Sequence, residues 1–392
     1  MASGGSLVDL PLTGGAVTIS GALDLERTAN GLLPLRLPVR ARAQFPEDGM
    51  LQAVVAQPSG VRLAFRTAAT VIELDVLPGK IQFEGAPPRP PCPFDLLVDG
   101  GLAAQATVEG GNTILLSLRT RRMEVTSGAP GTARFAGLPA RMKDVEIWLP
   151  HQEIVELIAL RADAPAEPPA DLVRPRWVHH GSSISHGANA DSPTGTWPAV
   201  AAALGGVDLV NIGLGGSALL DPFTARAIRD TPADLISVKL GINVINTDSF
   251  RLRTFGPAVH GFLDTIREGH PDAPLLVVSP ILCPMAEDVP GPSGPDLDSP
   301  TLQFRNFGDP AEVAAGRLTL RVIRRELQRI VSQRTGTDPN LRYLDGLELY
   351  GPAEAAELPL PDALHPGPAA HRRIGERFAE LAFGNAGLLR SD

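Results

Sequence analysis

The first 160 residues alternate between apolar and polar side chains in short stretches. The clearest stretches are residues 16–27, 60–79, 94–110, 113–118, 143–150 and 154–160. Because successive side chains of a strand point to opposite faces, this alternation is typical of strands with one buried face. The turn residues "DGG" (99–101) and "EGG" (109–111) indicate hairpin-type breaks. No long helix is indicated here, so the pattern predicts an all-β sandwich or jelly-roll domain.

The chain then changes character. The stretch "RADAPAEPPADLVRPR" (161–176) is rich in proline and has no periodicity. Such composition is typical of an interdomain linker. We therefore predict a β-sandwich domain over residues 1–165, a linker over 166–175 and a second domain over 176–392.

The second domain alternates short apolar runs with helical segments. The predicted strands are residues 176–180, 207–213, 234–241, 274–282 and 341–347. The predicted helices are residues 196–205, 222–230, 258–269, 310–334 and 369–385. This order predicts an α/β fold with a doubly wound, flavodoxin-like parallel sheet of about five strands. Ligands of such sheets bind beyond the carboxyl ends of the strands, so the chemistry is expected on the loops that follow them.

Composition and charge narrow the function classes. The 392-residue chain has 43% hydrophobic and 20% charged residues, and 35 basic against 44 acidic side chains give a net charge of −9. An acidic chain without a basic cluster argues against a nucleic-acid partner. Cys92 and Cys283 are far apart and support neither a disulfide framework nor a thiolate zinc site. The sequence has neither a signal peptide nor a membrane-spanning apolar stretch, so we expect a cytoplasmic monomer or weak dimer without a membrane partner.

The stretch "HHGSSISHG" (179–187) follows the first predicted strand of the second domain. Alone it is compatible with a metal cluster, a phosphate-binding loop, a nucleophile on a turn or a small-residue bend. The other loops add Gly216 in "NIGLGGS", Asn243 in "LGIN", and Asp362 three residues before His365. Together they supply a serine, backbone amides, a carboxamide and an Asp–His pair. Acyl transfer through a covalent serine ester needs this set of groups.

These blocks resemble the SGNH or GDSL hydrolase family in order and context. The resemblance covers about residues 172–392. Residues 181–184 match the Gly-Asp-Ser-Leu-type motif, residues 241–244 match Gly-x-Asn-Asp, and Asp362 and His365 match the final Asp-x-x-His block. The family implies a serine esterase or O-acyltransferase that needs no metal and no cofactor.

The resemblance also implies a role for each matching residue. Ser183 corresponds to the nucleophile, His365 to the general base and Asp362 to the acid that orients it. The amide of Ser183, the amide of Gly216 and the side chain of Asn243 correspond to the oxyanion hole.

Two positions depart from the family pattern. Ser182 and Val244 stand where the family has aspartates. These departures put the usual surrounding hydrogen bonds in doubt, and with them a typical member's substrate range.

A β-sandwich ahead of such a domain is similar to the two-domain carbohydrate acetyl esterases. It is also similar to a GDSL-type acyltransferase of tetracycline tailoring that moves a salicylyl group onto a ring hydroxyl. The resemblance implies small-molecule partners, an ester or other acyl donor and a hydroxyl acceptor. Trp197, His180 and Phe304 are candidates for substrate binding, although Trp197 also fits a helix core.

Other interpretations remain open at this stage. His179, His180 and His186 form a weak zinc set, because neighbouring strand residues point to opposite faces; we expect one of the first two in the core and the other at the rim of the site. "GLGGSA" (213–218) resembles a dinucleotide fingerprint but follows the second strand rather than the first. "SISHG" (183–187) lacks the first glycine of a nucleophile elbow.

Three functional alternatives follow from these interpretations. The first is a carbohydrate or ester deacetylase that uses water as the acceptor. The second is a ligand-binding protein with an inactive hydrolase scaffold, and the third is a nicotinamide-dependent enzyme.

Overall fold

The computed structural model divides the chain into two compact units. It describes residues 6–46, 49–84, 89–117, 120, 122–170 and 173–390. The first unit contains the described residues up to Val173 together with Ser192–Thr194, and the second contains Arg174–Asp191 and the described residues from Gly195 onward. Within the described residues, no helix is both long and apolar enough to cross a lipid bilayer.

The first unit is built almost entirely of strands. Its elements are β1 (Val8–Leu10), β2 (Thr18–Ser20), β3 (Asp24–Arg27), β4 (Leu32–Leu35), α1 (Gly49–Ala56), β5 (Arg62–Thr67), β6 (Val71–Phe83), β7 (Phe94–Val98), β8 (Gly101–Ala106), β9 (Asn112–Leu116), β10 (Met123–Thr126), β11 (Gly131–Ala136), β12 (Lys143–Trp148), β13 (Glu153–Ala162) and β14 (Ala166–Glu167). A short 3₁₀ helix covers Val39–Gln44.

These strands form two sheets that share one core. The larger sheet has the order β10-β9-β6-β13-β4-β3, with β1 beside β13 and β11 beside β6; the smaller has the order β14-β5-β12-β7-β8, with β2 beside β5. One hydrophobic cluster draws residues from both sheets, among them Phe65 and Ile147 of the smaller sheet and Leu74 and Leu157 of the larger. The predicted β-sandwich is therefore confirmed.

The two glycine turns of this unit have different roles. Asp99 and Gly100 adopt positive φ angles of 50° and 82° and join the antiparallel strands β7 and β8, as predicted for a two-residue hairpin. "EGG" at 109–111 is not a hairpin, and this prediction is wrong. The chain leaves β8 in the smaller sheet there and enters β9 in the larger one. Such a crossover depends on the tertiary pairing of β9 with β6, which local turn residues do not encode.

The predicted linker is partly a strand. Ala166 and Glu167 pair with Thr67 and Arg66 of β5, so the smaller sheet extends into the segment assigned to residues 166–175. The Thr67 hydroxyl adds a hydrogen bond of 2.9 Å to the Pro165 carbonyl. Edge pairing of two residues leaves no periodicity in the sequence, which explains the difference. Residues 171–172 of the predicted linker lie outside the described residues.

The second unit alternates strands and helices. Its strands are β15 (Arg176–Gly181), β16 (Asp208–Gly213), β17 (Leu235–Lys239), β18 (Leu275–Val278), β19 (Ser293–Pro295), β20 (Phe304–Asn306) and β21 (Leu341–Leu344). Its helices are α2 (Ser183–His186), α3 (Trp197–Gly205), α4 (Pro222–Asp230), α5 (Ile242–Asn246), α6 (Leu252–Gly269), α7 (Leu320–Arg334), α8 (Gly346–Leu349), α9 (Pro352–Glu357) and α10 (Pro368–Phe383).

Five strands of this unit form a parallel sheet in the order β16-β15-β17-β18-β21. This is the flavodoxin-like order 2-1-3-4-5, and it confirms the predicted fold class. Helices cover both faces, since the Trp177 ring of β15 contacts Trp197 of α3 and Phe378 of α10, whereas the neighbouring His180 ring contacts Phe262 of α6. Among the residues that the structure describes, the remaining strands β19 and β20 pair with each other alone, as a short hairpin.

The helix predicted over 310–334 is wrong in its first part. Pro310–Ala315 form a 3₁₀ helix that ends at Gly316, whose φ is +94°. The helix α7 starts only after Thr319, whose side chain accepts a hydrogen bond from the Val322 amide as an N-cap. The left-handed glycine and the cap divide the segment, although its apolar residues continue at helical spacing.

Candidate active site

The loops that carry the candidate residues meet at one edge of the parallel sheet. In the strand register Gly181 at the end of β15 lies beside Gly213 at the end of β16, and His180 lies beside Val238 of β17. Since parallel strands end at the same edge, the segments that follow these three strands emerge together. This edge flanks β15, where the strand order reverses.

A continuous line of hydrogen bonds joins Ser183, His365 and Asp362. Ser183 Oγ lies 2.9 Å from His365 Nε2, and His365 Nδ1 lies 2.7 Å from Asp362 Oδ2. In the tautomer that this arrangement favours, His365 donates through Nδ1 and accepts the serine hydroxyl proton through Nε2. The structure therefore brings together three residues that are up to 182 positions apart in the chain.

The Asp362 carboxylate is held as an anion. Its Oδ1 accepts the backbone N–H groups of Leu364 and His365 at 3.0 and 2.6 Å, while Oδ2 accepts the His365 ring. Burial raises the pKa of this carboxyl group, but the hydrogen bonds and the charge of His365 outweigh burial and lower the pKa from 3.8 to about 2. Asp362 therefore stays ionised at neutral pH and can stabilise a protonated His365.

The Asp-x-x-His motif lies on a turn rather than on a helix. Ala363 adopts a positive φ of 64°, and its amide donates to the Leu360 carbonyl at 3.2 Å. The helix α10 begins only at Pro368. The left-handed Ala363 turns the chain so that the Asp362 side chain faces both the backbone and the ring of His365.

Gly216 belongs to a turn that passes close to Ser183. The Leu214 amide donates to the Gly181 carbonyl at 2.8 Å, and the Ser217 amide donates to the Leu214 carbonyl at 3.1 Å. A Cβ atom placed on Gly215 would be 3.7 Å from Ser183 Cα, which shows how closely the backbone of the turn approaches Ser183. Gly216 has a φ of +70°, a conformation that favours glycine, and the space where a side chain would project is open.

Asn243 is hydrogen-bonded to the residue that follows the same turn. Its side chain is buried and its Oδ1 accepts the Ala218 amide at 3.0 Å. This bond fixes the amide group, so that the NH₂ end points away from Ala218. The predicted oxyanion donors Gly216 and Asn243 are thus linked through the backbone of a single short segment.

Two of the three candidates for substrate binding are in the core. Trp197 is 0% exposed and packs its ring 5.0 Å from Phe378. His180 is 1% exposed and stacks on Phe262 at 5.6 Å. Neither side chain is exposed, because helices cover both faces of the sheet, so the structure gives no support to these two as substrate-binding residues; Trp197 has the helix-core position that its sequence also fits.

His179 is buried as well, so the expectation of one core and one rim histidine is wrong. Its ring nitrogens lie 2.7 Å from Ser237 Oγ and 2.8 Å from Ser185 Oγ. Burial, followed by the nearby His180 and Lys239, lowers the pKa of His179 well below 6.5. His179 is a neutral core residue that ties α2 to β17.

The third candidate, Phe304, does lie at the site. Its ring meets the His365 ring edge-on, with centroids 5.9 Å apart, and its amide donates to the Asp362 carbonyl at 3.0 Å. Gln303 donates from its side chain to the Pro361 carbonyl at 2.8 Å. At the other strand of the hairpin, Ser293 Oγ lies 2.9 Å from Asn246 Oδ1 at the end of α5. The β19–β20 hairpin therefore contacts both α5 and the Asp-x-x-His turn.

The two departures from the family pattern are both buried. Ser182 is 2% exposed, and its hydroxyl has no hydrogen-bond partner among the described residues. Val244 is 1% exposed on α5. Neither side chain contributes a hydrogen bond to the Ser183, His365 and Asp362 line in the part of the chain that the structure describes.

One residue of the site was missed by the sequence analysis. Asn189 donates from its side-chain amide to Asp362 Oδ2 at 3.2 Å. The residue has a positive φ of 65°, a conformation that Asn tolerates better than most residues. "GAN" after Ser183–His186 was therefore a weak turn signal, but the contact with a carboxylate 173 positions away has no local signature.

Comparison with known proteins agrees with this architecture. Residues 180–373 match the model of the GDSL-like Lipase/Acylhydrolase family, and residues 17–157 match the model of the SsfX3 N-terminal domain. No curated protein matches the sequence significantly.

Solved structures resemble the chain over most of its length. The salicylyl-acyltransferase SsfX3 from a tetracycline biosynthetic pathway is similar with a TM-score of 0.79 and 29% identity, over 98% of this chain and 99% of that one. A candidate GDSL-like lipase from Bacteroides ovatus (TM-score 0.67, 16% identity, 95% and 96% coverage) and a family two carbohydrate esterase from Cellvibrio japonicus (0.55, 12%, 95% and 96%) share the fold. The chain therefore contains a GDSL-like lipase/acylhydrolase domain preceded by an SsfX3-type N-terminal domain, and it is an enzyme of the GDSL class.

Proposed function

We propose that this enzyme transfers an acyl group through an ester on Ser183. The single observation that carries the proposal is the hydrogen-bonded line from Ser183 Oγ through His365 to Asp362, at 2.9 and 2.7 Å. A serine hydroxyl is a weak nucleophile at neutral pH, and an adjacent imidazole held by a carboxylate is the means of activating it.

The reaction has two halves. In the first, Ser183 Oγ attacks the carbonyl carbon of the acyl donor and its proton passes to His365 Nε2; the bond to the leaving group then breaks and His365 returns the proton to that group. In the second, an acceptor hydroxyl gives its proton to His365 Nε2 and its oxygen attacks the acyl carbon; the bond from that carbon to Ser183 Oγ then breaks, and His365 returns the proton to Ser183 Oγ. Asp362 remains deprotonated throughout and stabilises the charged imidazole.

Each half passes through a tetrahedral oxyanion. We assign its stabilisation to the backbone amides of Ser183 and Gly216 and to the NH₂ group of Asn243. The open space beside Gly216 and the orientation of Asn243 by Ala218 support this assignment. Such donors act strongly because they are already in place before charge develops.

We propose that the acceptor is a hydroxyl group of a natural product or a sugar, and that the transferred group is a small acyl group. The support is the likeness to SsfX3, which is a salicylyl-acyltransferase and covers nearly the whole chain, including the N-terminal domain. No cofactor is needed, since the protein supplies nucleophile, base and oxyanion donors.

Hydrolysis is the second candidate, with water as the acceptor and the same acyl-serine intermediate. The family model, which describes lipases and acylhydrolases, favours it. The two functions differ in whether an added alcohol captures the acyl group faster than water does.

Intact-mass spectrometry after exposure to a panel of acyl esters and thioesters tests the proposal. We expect one acyl adduct per chain, absent in Ser183→Ala. Ser182→Ala serves as the matched control, because it removes the neighbouring hydroxyl and should keep the adduct. Undiminished turnover by Ser183→Ala would overturn the proposal.

A further inference from the structure

Asn189 lies in a short segment that returns from the nucleophile to the acid. The segment Gly187–Ala190 directly follows α2, whose first residue is Ser183. Asn189 is half-buried, and its left-handed backbone places the side-chain amide 3.2 Å from Asp362 Oδ2. The residue thus donates a hydrogen bond to the acid of the proposed triad.

Backbone hydrogen bonds hold the segment Gly187–Ala190 in place. The amides of Gly187 and Ala188 each donate to the Ser183 carbonyl at 2.9 Å, and the Ala190 amide donates to the Gly187 carbonyl at 3.0 Å. The backbone that carries Asn189 is therefore anchored to the nucleophile residue itself.

A buried histidine fixes the segment from the side of α10. His371 Nε2 lies 2.8 Å from the Ala188 carbonyl, and its Nδ1 accepts the Trp197 amide at 3.3 Å. Burial lowers the pKa of His371 to about 4, so the ring is neutral at pH 7 and its one proton is on Nε2. This proton is donated to Ala188, the residue before Asn189.

These contacts close a ring of hydrogen bonds. The ring runs from Ser183 Oγ through His365 and Asp362 to Asn189, and returns through the 187–190 backbone to the Ser183 carbonyl. We infer that Asn189 is a positioning residue, whose amide holds the Asp362 carboxylate with Oδ2 directed at His365 Nδ1.

The physical reason lies in the two oxygens of the carboxylate. Oδ1 is fixed by two backbone N–H groups of its own turn, whereas Oδ2 has the His365 ring and the Asn189 amide as donors. When the His365 ring shifts during proton transfer, Asn189 is the donor that keeps Oδ2 in place. The inference rests on the proposed function, because the positioned groups are those of the proposed triad.

Two substitutions test it. Asn189→Gly removes the amide and leaves a residue that accepts a φ of +65° without strain. Asn189→Asp keeps the shape but places a second carboxylate beside Asp362, and like charges at this distance oppose each other. Asp99→Gly is the matched control, since it introduces glycine at another left-handed position, φ 50°, in a turn of the first unit.

Ester turnover and proton NMR give the readouts. We expect Asn189→Gly to lower kcat about tenfold, the size typical of one lost hydrogen bond to a charged group, with KM within about twofold. Asn189→Asp should lower kcat further. The low-field resonance of the His365 Nδ1 proton should shift and exchange faster in both variants, whereas Asp99→Gly should match the wild type in kcat and resonance.

An unchanged kcat and resonance in Asn189→Gly would overturn the inference, as would a raised KM with kcat retained, which would indicate substrate contact instead. The proposed function is judged separately by the acyl adduct on Ser183. If the adduct forms and Asn189→Gly behaves as wild type, only the positioning role fails; if Ser183→Ala keeps full turnover, both fail.

Discussion

At the scale of single residues, the site depends on groups whose charge is fixed by their neighbours. Asp362 shows this most directly, because its hydrogen bonds lower the carboxyl pKa from 3.8 to about 2 in spite of burial. A lowered pKa in the folded state means that the ionised group stabilises the fold. That stabilisation is complete above the unfolded-state pKa and disappears as the pH falls through the folded-state pKa.

This difference predicts a pH-dependent stability effect for Asp362→Asn. The shift corresponds to about 2 kcal/mol of free energy of unfolding at pH 7, of which about half remains at pH 3. Urea unfolding followed by tryptophan fluorescence should therefore show a destabilisation that shrinks as the pH falls from 6 to 3. An equal destabilisation at both pH values would contradict this assignment of the pKa.

At the scale of elements, the β19–β20 hairpin joins the candidate site to solvent-exposed apolar side chains. It contacts the Asp-x-x-His turn through Phe304 and Gln303 and reaches α5 through Ser293. Leu297 at its tip is 92% exposed and Leu302 is 50% exposed. An element that contacts the Asp-x-x-His turn and also presents apolar side chains to solvent is well placed to select substrates.

We therefore expect Phe304→Ala to act on substrate selection. Removal of the ring should raise KM for aryl esters about fivefold, since an aromatic pair contributes about 1 kcal/mol, and should change KM for acetyl esters less. Steady-state kinetics on matched aryl and acetyl esters measures the ratio. Leu297→Ala, at an exposed position of the same hairpin, is the control. An equal change for both ester classes would contradict a role in selection.

The sequence predicted the elements of the site better than their surroundings. Asp362 and His365 could be found because they are only three residues apart. The five strands could be found because a short apolar run between two helical segments has few structural interpretations other than a buried strand. The burial of His180 could not be predicted, since a sequence does not show which sheet face a helix covers. The helix α1 was missed because its sequence, "GMLQAVVA", has no polar face and five of its eight residues are buried. The buried Arg36 stabilises the end of this helix, since its guanidinium donates hydrogen bonds to the Val54 and Gln57 carbonyls.

At the scale of the whole molecule, the site is assembled from distant parts of the chain. Ser183, Gly216, Asn243 and His365 follow different strands and come together only when the parallel sheet is complete. Pairing of parallel strands requires the closure of long loops, and the entropy of closure is lost before the strand contacts form. We therefore expect this pairing to be a late step of folding.

Refolding experiments should reveal this order. Labelling of Ser183 by a fluorophosphonate probe should appear with the slowest refolding phase and lag behind the far-UV circular dichroism signal. Ser183→Ala should remain unlabelled at all times. Labelling that accompanies the earliest gain of secondary structure would contradict late assembly of the site.

The hydrogen bond from the Ala218 amide to Asn243 Oδ1 makes the two proposed oxyanion donors energetically dependent on each other. A substitution at Asn243 removes an amide donor and also releases the turn that carries Gly216. The losses of transition-state stabilisation caused by substitutions at the two positions therefore overlap. The double variant should lose less stabilisation of the transition state than the sum of the two single variants. A library that varies the two positions one at a time would therefore misjudge the rate of the doubly substituted enzyme.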